Sequence, residues 1–383
     1  MSVLEVAPLL SRRQYSVVAT PEEPLLLECG RALAPVTLCY EAFGQLNEAR
    51  DNAILVCHAL TGDSHVAGRY ETTDRKPGWW DDAVGPGKAL DTDRYYVICS
   101  NVLGGCQGST GPHEINPSTG RPYGTDFPVI TPRDMVRAQA RLLDRLGIHQ
   151  LVAVVGGSLG AMQTLEWAAT FPDRVRGVIP IGGAGRFHPQ GIAFNEVQRQ
   201  AILNDPDFRG GHYYGTPGPV KGLATARMLG MITYRSDESM WRQFGREVRG
   251  EGDGLDRGFD IAYQVESYLH HQGEALVKRF DANSYLYLSR AMDLMDLGRG
   301  RGSYEEAHGL IKAKLLSIGI RSDLLFPPYL QQETVELVRA AGGEATYLEM
   351  DSPWGHDAFL VDFHLIAEPI RNFLQSVHAP LDS

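Results

Sequence analysis

The segment of residues 151–170 constrains the fold more than any other part of this sequence. Residues 151–155 are consecutively apolar and predict a buried strand, and the residues after 160 predict a helix. Between them, residues 156–160 read Gly-Gly-Ser-Leu-Gly and match the G-x-S-x-G pattern. The glycines permit a sharp turn that exposes the serine above the carboxyl end of a sheet. Ser158 is therefore the predicted nucleophile, and the alternative is an ordinary glycine-rich turn.

The flanking sequence repeats the alternation of strand and helix. Thr131 can cap a helix that has Pro132 in its first turn and ends near Gly147. The apolar runs are continuous, which is typical of parallel strands covered by helices on both faces. The sequence therefore predicts an α/β protein with a mostly parallel sheet. Three further strands are predicted, at residues 53–57, 95–99 and 175–181.

The pattern of predicted secondary structure changes in the middle of the chain. From about residue 185 to 303 no clear β-run occurs, and after it the alternation resumes with a strand at 314–320 and another at 346–350. We predict an all-helical lid (185–305) inserted between a first core part (1–184) and a second core part (306–383). Helical segments are predicted within the lid at 193–203, 222–234, 240–248 and 264–295, and in the second core part at 333–341 and after Asp357.

A serine nucleophile needs a general base and an acid that orients the base. In the α/β-hydrolase fold the chain order is Ser, then Asp or Glu, then His. Asp323 follows one predicted strand and His356 follows the next, 33 residues later. Asp351 and Asp357 also lie near His356, but too close in sequence to occupy the end of the preceding strand. The alternatives are a turn or helix-capping role for Asp323 and an exposed loop position for His356.

An oxyanion hole in this fold uses two backbone N–H groups. One belongs to the residue after the nucleophile, Leu159, and the other comes from the loop after an early strand. We predict Leu60 for the second, with its neighbours Ala59 and Thr61 as alternatives.

Composition excludes several function classes. The 383 residues carry a formal net charge of −11, and no long basic run is present, so neither nucleic acid nor membrane is a predicted partner. No run of about 18 apolar residues predicts a membrane span, and residues 1–17 do not resemble a signal peptide. The five cysteines form no C-x-x-C pair, which favours a reducing cytoplasm.

No metal or cofactor site is predicted. The sequence contains no H-E-x-x-H, and the adjacent His270 and His271 would point in different directions on a helix. The glycine-rich residues 101–111 lack the Lys and Ser/Thr of a P-loop. The Gly-Arg-Gly-Arg-Gly sequence at 298–302 is interpreted as the exit loop of the lid, with a phosphate site as the alternative.

Ten motif stretches, in order from residue 58 to residue 359, resemble the homoserine O-acetyltransferase family. The resemblance implies Ser158, Asp323 and His356 as the catalytic triad. It also implies a ping-pong reaction in which acetyl-CoA, a co-substrate rather than a cofactor, acetylates the serine before L-homoserine takes the acetyl group in methionine biosynthesis. The matching stretches are 58–65, 104–112, 116–117, 121–124, 126–128, 156–163, 193–199, 280–285, 291–293 and 355–359.

The resemblance further implies residues that hold the amino acid. Arg227 and Tyr234 match positions used for this purpose and are seven residues apart, so one helix face can present both. Arg227 would grip the α-carboxylate with a two-pronged geometry that lysine lacks, and Asp357 matches the position that pairs with the α-ammonium. Ordinary surface ion pairs are the alternative. The family is usually homodimeric.

Other functions remain open on the same scaffold. They are a homoserine O-succinyltransferase, a serine O-acetyltransferase, a serine esterase and a catalytically inactive binding protein. Gly124 supplies no cation for a succinyl carboxylate, which favours acetyl as the donor group.

Overall fold

The computed structural model describes residues 9–250, 252–255 and 257–378. Its central sheet has eight strands. Residues 1–8, which form part of the segment considered for a signal peptide, lie outside the described residues. The strands of the sheet are β1 (Gln14–Ala19), β2 (Val36–Phe43), β3 (Ala53–Cys57), β4 (Tyr96–Ser100), β5 (Leu151–Gly157), β6 (Val175–Ile181), β7 (Lys314–Ile320) and β8 (Ala345–Met350).

The sheet is parallel except at one edge. The spatial order is β1-β2-β4-β3-β5-β6-β7-β8, and β2 is antiparallel to both of its neighbours, β1 and β4. The predicted strands are confirmed, with ends that differ by two residues or fewer. The sequence analysis missed β1 and β2, where polar residues such as Gln14, Ser16, Thr37 and Glu41 interrupt the apolar runs.

Helices cover both faces of the sheet. Alternate residues of β3 belong to two separate hydrophobic clusters, Leu55 and Cys57 to one and Ile54 and Val56 to the other, as the two-residue period of a strand requires. The helices outside the lid are α1 (Pro132–Arg145), α2 (Leu159–Thr170), α9 (Tyr329–Ala340), α10 (Ala358–Val361) and α11 (His364–His378), and those of the lid are α3 (Pro189–Leu203), α4 (Val220–Tyr234), α5 (Asp237–Phe244), α6 (Gln264–Val277), α7 (Ala282–Asp293) and α8 (Tyr304–Gly309).

The cap predicted for α1 is confirmed. Thr131 accepts a hydrogen bond from the backbone N–H of Asp134, and the Asp134 carboxylate accepts one from the backbone N–H of Thr131. This reciprocal pair satisfies two N–H groups that the first helical turn leaves free. The acidic side chain also complements the positive end of the helix dipole.

The lid comprises the described residues between β6 and β7, and within them the structure assigns only helices and isolated bridges. The predicted helical segment 264–295 is two helices, because Asp281 accepts a hydrogen bond from the backbone N–H of Ser284 and caps α7. The division at 1–184, 185–305 and 306–383 stays a prediction, and α8 spans residue 305.

The exit loop of the lid is tied to the core by buried ion pairs. Glu166 on α2 contacts Arg301 at 2.7 Å and Arg133 on α1 at 3.2 Å. Arg301 also donates to the hydroxyl of Thr170. The guanidinium of Arg301 therefore has protein partners, in line with a structural exit loop rather than a phosphate site. In the described part of the chain, no helix is long and apolar enough to cross a membrane.

Candidate active site

The backbone of Ser158 has the strained conformation that the G-x-S-x-G turn requires. Its φ of 61° and ψ of −123° lie in a region that residues other than glycine rarely adopt, at a cost of about 1–3 kcal/mol. Ser158 lies between the end of β5 and the start of α2, and its N–H donates to the carbonyl of Ile181 at 3.0 Å. A Cβ on Gly160 would overlap the Cys57 carbonyl, and one on Gly157 would meet the Phe359 ring at 2.5 Å. Close packing thus requires both glycines.

Asp323 and His356 are in direct contact. The Nδ1–H of His356 donates to Oδ2 of Asp323 at 2.6 Å, and both side chains are buried. The other carboxylate oxygen of Asp323 accepts from the backbone N–H groups of Leu325 and Phe326, each at 2.8 Å. These bonds fix the carboxylate of Asp323. Because Nδ1 of His356 carries the proton that is donated to Asp323, Nε2 is the ring nitrogen that can accept a proton.

The competing carboxylates have other surroundings. Asp351 forms an exposed ion pair with Arg321 at 2.6 Å. Asp357 lines the same cavity as His356 but forms no hydrogen bond with it within the described chain. Asp323 is therefore the carboxylate that orients the imidazole.

The environment of His356 favours proton uptake. Burial alone would lower the pKa of His356, but the charge of Asp323 and its hydrogen bond, together with the charge of Asp357, outweigh burial and raise this pKa above its ordinary value. The Phe326 ring stacks on the imidazole at a centroid distance of 5.3 Å. Nε2 is buried and has no hydrogen-bond partner among the described residues. Ser158 lines the same cavity as His356. In enzymes without bound substrate, the hydrogen bond between nucleophile and base is often long.

The loop after β3 forms one wall of this cavity through residues 59–62. His58, which the sequence analysis did not single out, holds this loop. Nε2 of His58 accepts from the backbone N–H of Val102 at 3.0 Å, and its Nδ1–H donates to the Ala59 carbonyl at 2.7 Å. Burial lowers the pKa of His58, so the ring is neutral as these two bonds require. Leu60 lies on the loop and Leu159 begins α2, and their oxyanion roles stay predictions.

The three predicted amino-acid-binding residues line the same cavity, which has a volume of about 180 Å³. The guanidinium of Arg227 lies 5.6 Å from the centre of the Tyr234 ring. Burial raises the pKa of Asp357, and the charges of Arg227 and His356 oppose that rise. No direct ion pair joins Arg227 and Asp357 in the described structure. A cation and an anion therefore face one cavity without neutralising each other in a salt bridge.

Two buried amides of α3 also line the cavity, and the sequence analysis did not identify them as site residues. The Tyr285 hydroxyl donates to Oε1 of Gln198, which leaves the amide N–H groups of Gln198 without a hydrogen-bond partner in the described chain. Asn195 donates to the Ser289 carbonyl and to Asp293. Both amides lie in the resemblance stretch 193–199, which was the available signal.

Arg279 adds a second guanidinium to the cavity wall. It lies between α6 and α7, and its Nη1 donates to the carbonyl of Thr61 at 2.7 Å. The lid therefore contacts the predicted oxyanion loop directly. Within residues 9–250, 252–255 and 257–378, no group of three or more His, Cys, Asp or Glu side chains could hold a metal ion.

A serine on a strand–helix turn, with Asp and His after later strands, defines the class of α/β hydrolases. In agreement, a family model described as alpha/beta hydrolase fold matches residues 52–363. Within that class, the chain belongs to the homoserine O-acetyltransferase family. The homoserine O-acetyltransferase of Symbiobacterium thermophilum is 78% identical over 379 residues, which are 99% of each chain.

Two solved structures resemble this fold over nearly its whole length. The homoserine O-acetyltransferase of Bacillus anthracis has a TM-score of 0.90 and 32% identity, and the alignment covers 96% of this chain and 98% of that chain. Esterase E22 has a TM-score of 0.88 and 34% identity, with coverage of 95% and 100%. Transferases and esterases thus share this architecture.

Proposed function

We propose that the protein transfers an acetyl group from acetyl-CoA to the hydroxyl of L-homoserine, as a step of methionine biosynthesis. The observation that carries the proposal is the cavity shared by Ser158, His356, Arg227 and Asp357. An amino-acid acceptor needs a cation for its carboxylate and an anion for its ammonium, and this cavity offers both beside the nucleophile. The 78% identity to a homoserine O-acetyltransferase supports the same reaction.

In the first half-reaction, Oγ of Ser158 attacks the thioester carbonyl while Nε2 of His356 accepts the hydroxyl proton. Asp323 stabilises the imidazolium that forms, and the backbone N–H groups of Leu60 and Leu159 bind the oxyanion. The C–S bond then breaks, and the CoA thiolate leaves with the proton from His356. The product is an acetyl ester on Ser158 and free CoA.

In the second half-reaction, the hydroxyl of homoserine occupies the position of the departed thiol. His356 removes its proton, the oxygen attacks the acetyl carbonyl, and the Ser158 ester bond breaks with return of the proton to Oγ. Arg227 holds the α-carboxylate over the Tyr234 ring, and Asp357 pairs with the ammonium. The free N–H groups of Gln198 give the carboxylate a second donor. These contacts favour the amino acid over water.

The test is an assay of each donor with each acceptor. Acetyl-CoA and succinyl-CoA are combined with L-homoserine, L-serine and water, and both CoA release and the acylated product are measured. The sequence argument that Gly124 disfavours a succinyl donor fails, because Gly124 packs against Gly211 and does not line the cavity. Arg279 does line the cavity and could meet a succinyl carboxylate, so succinyl-CoA belongs in the test. We expect O-acetylhomoserine as the main product. Preference for succinyl-CoA or serine would contradict the assignment.

A serine esterase is the second candidate, because esterase E22 has a closely similar fold. Transfer and hydrolysis share the acyl-serine and differ in what attacks it. The arm with water distinguishes them: an esterase releases CoA or a small ester alcohol at the same rate with and without homoserine. A fluorophosphonate that labels Ser158 would exclude the inactive binding protein.

We also propose that the protein is a homodimer of the cytoplasm. Exposed apolar side chains on the lid, Ile232 at 47% and Trp241 at 64% exposure, support a contact between two lids. Acetyl-CoA as donor and five cysteines without a disulfide fit a reducing compartment. Light scattering of the wild type and of Trp241→Asp tests the dimer, which the charged side chain should dissociate.

A further inference from the structure

Glu41 is a buried carboxylate that the proposed mechanism does not use. It lies on β2, is fully buried and does not line the active-site cavity. Three side chains donate to it, the Ser64 and Tyr70 hydroxyls to Oε1 and the Nδ1–H of His65 to Oε2, each at 3.0 Å. Taking a carboxylate out of water is costly unless such donors replace the lost hydration. A carboxylate at this position therefore calls for a reason.

The carboxyl group of Glu41 is ionised. Burial alone would raise its pKa, but hydrogen bonds from His65, Ser11 and Ser64 and the charge of His65 outweigh burial and lower this pKa below its ordinary value. Hydrogen bonds to an ionised acceptor are shorter and stronger than those between neutral groups. The cluster is not a second catalytic relay, because Ser11 and Glu41 both contact the same nitrogen, Nδ1 of His65. Its effect is therefore to fix the side chains that meet there.

The donors to this carboxylate include the end of the loop that follows β3. The loop lines the active-site cavity through residues 59–62 and then reaches β2 with Ser64 and His65. Because β4 lies between β3 and β2 in the sheet, the loop crosses the end of β4 on its way. Trp79, which also lines the cavity, donates to the carbonyls of Asp63 and His65 at 2.9 and 3.0 Å. The loop is therefore held immediately beyond the residues that face the cavity.

We propose that Glu41 is a positioning residue that keeps the backbone N–H of Leu60 directed at the oxyanion formed on Ser158. His58 fixes the start of the loop and Glu41 fixes its end, so residues 59–62 have little freedom to move. The inference rests on the proposed function, in which Leu60 donates to the negative oxygen of the tetrahedral intermediate. An oxyanion donor acts only if it is in place as the charge develops, and a shift of about 1 Å can lower a rate about 100-fold.

The experiment measures stabilisation of the tetrahedral species separately from binding of either substrate. Methylboronic acid forms a tetrahedral anionic adduct with a serine nucleophile and so mimics the intermediate of acetyl transfer. Its inhibition constant is compared with kcat/KM for acetyl-CoA and with kcat/KM for homoserine, which in a ping-pong reaction report the two half-reactions. The variant Glu41→Gln keeps the size of the side chain, but its one amide oxygen has two lone pairs and cannot accept from all three donors.

Asp134→Asn is the matched control. Asp134 is also fully buried and accepts from three donors, the backbone N–H of Glu28 and the backbone N–H and hydroxyl of Thr131, but it does not line the cavity. Its substitution should therefore lower stability without changing the rate. Ser64→Ala is a milder second variant, because it removes a single donor to Glu41 from the loop itself.

For Glu41→Gln we expect both kcat/KM values to fall about 10- to 100-fold and the inhibition constant of methylboronic acid to rise by a similar factor. Ser64→Ala should shift all three values in the same directions by about three- to tenfold. Asp134→Asn should match the wild type in all three values while losing stability against urea.

An unchanged inhibition constant in folded Glu41→Gln protein would overturn the inference, whatever happens to the rate. So would a fall in only one of the two kcat/KM values, which would place the influence of Glu41 on one substrate, or an equal effect of Asp134→Asn, which would make it one of stability alone. If Glu41→Gln does not fold, Ser64→Ala decides, and wild-type values in that variant reject the inference. Failure of the proposed function is seen separately, as a wild-type protein that forms no O-acetylhomoserine, because the boronate tests the oxyanion site whatever the acceptor is.

Discussion

The core holds its proposed catalytic groups on turns of fixed geometry, whereas the lid presents the proposed substrate-binding groups from packed helices. Ser158, Asp323 and His356 each follow a strand of the same parallel sheet, so backbone hydrogen bonds fix where they meet. Arg227 and Gln198 project from α4 and α3, whose relative position depends on side-chain packing. The difference suggests a division of labour in which the core forms the acyl-enzyme and the lid selects what attacks it.

The two regions meet at the loop that carries His356. A Cβ on Gly355 would lie 2.7 Å from the Tyr234 carbonyl and from the N–H of Ser236, so the lid chain rests directly on this loop. The Ser236 hydroxyl donates to the carbonyl of Pro353, and Arg235 lies over the Trp354 ring at 4.8 Å. The lid can therefore influence the base as well as the acceptor, which limits a strict division of labour.

Ser158→Ala should have the largest effect, because it removes the covalent route on which both regions depend. We expect turnover to fall by about 10⁵-fold or more. The measurement is CoA release from acetyl-CoA, with circular dichroism to show an intact fold. Ser118→Ala, which changes an exposed serine outside the cavity, is the control. Near-normal turnover in folded Ser158→Ala protein would exclude an acyl-serine mechanism.

Substitution of the other two proposed triad residues should lower turnover slightly less than loss of the nucleophile does. His356→Ala should be almost as severe, and Asp323→Asn should lower kcat by about 10³- to 10⁴-fold, because the amide no longer stabilises the imidazolium. Asp351→Asn is the matched control, since Asp351 pairs with Arg321 outside the site. If Asp351→Asn lost turnover while Asp323→Asn kept it, Asp351 rather than Asp323 would be the acid of the triad.

The pH dependence of the first half-reaction should report His356. The base acts only when neutral, and its pKa is raised, so activity is lost as pH falls through a midpoint above the ordinary value of about 6.5. Below the midpoint the rate of the CoA burst should fall about tenfold for each pH unit. Asp357→Asn removes one of the charges that raise this pKa, so its midpoint should shift to lower pH.

A burst midpoint well below 6 would contradict this electrostatic account of His356. An unchanged midpoint in Asp357→Asn, with a weakened use of homoserine, would show that Asp357 serves the acceptor alone. The two functions of this side chain can therefore be separated by comparing the burst with steady-state turnover.

Arg227→Lys, a substitution in the lid, should affect use of the acceptor rather than formation of the acyl-enzyme. The substitution keeps the charge but loses the two-pronged geometry for a carboxylate, so the homoserine KM should rise about tenfold or more. The single-turnover burst of CoA should not change. 3-Amino-1-propanol, which is homoserine without its carboxylate, should be used equally by variant and wild type. A lost burst with an unchanged homoserine KM would assign Arg227 to the donor.

The sequence predicted the core better than the lid for a physical reason. Parallel strands and the turn at Ser158 leave local signals, namely continuous apolar runs and glycines at close contacts, and the positions of Asp323 and His356 follow from strand order. The lid was predicted only as helices, and its break at Asp281 went unrecognised. Gln198 and His58 lie in resemblance stretches and Arg279 does not, but the sequence did not reveal the role of any of the three. These roles arise from contacts between distant segments, such as Tyr285–Gln198 and Arg279–Thr61.

Two helix caps, one in the core and one in the lid, allow the two regions to be compared through small changes in stability and turnover. Thr131 caps α1 in the core, and Ser236 caps α5 in the lid by accepting from the backbone N–H of Ser239. Replacing either with alanine should lower the free energy of unfolding by about 1 kcal/mol, measured by urea denaturation. Thr131→Ala should leave turnover unchanged, because that cap lies outside the cavity.

Ser236→Ala should lower turnover as well, because it also removes the donor to the Pro353 carbonyl in the loop of His356. We expect a loss of about two- to fivefold, the size of one neutral hydrogen bond, and it should appear in the CoA burst rather than in the homoserine KM. Ser236→Thr keeps the hydroxyl and should restore the rate. If both alanine variants retained full turnover, the lid would rest on this loop without positioning His356, and the division between an acylating core and a selecting lid would be stricter than the contacts at Gly355 indicate.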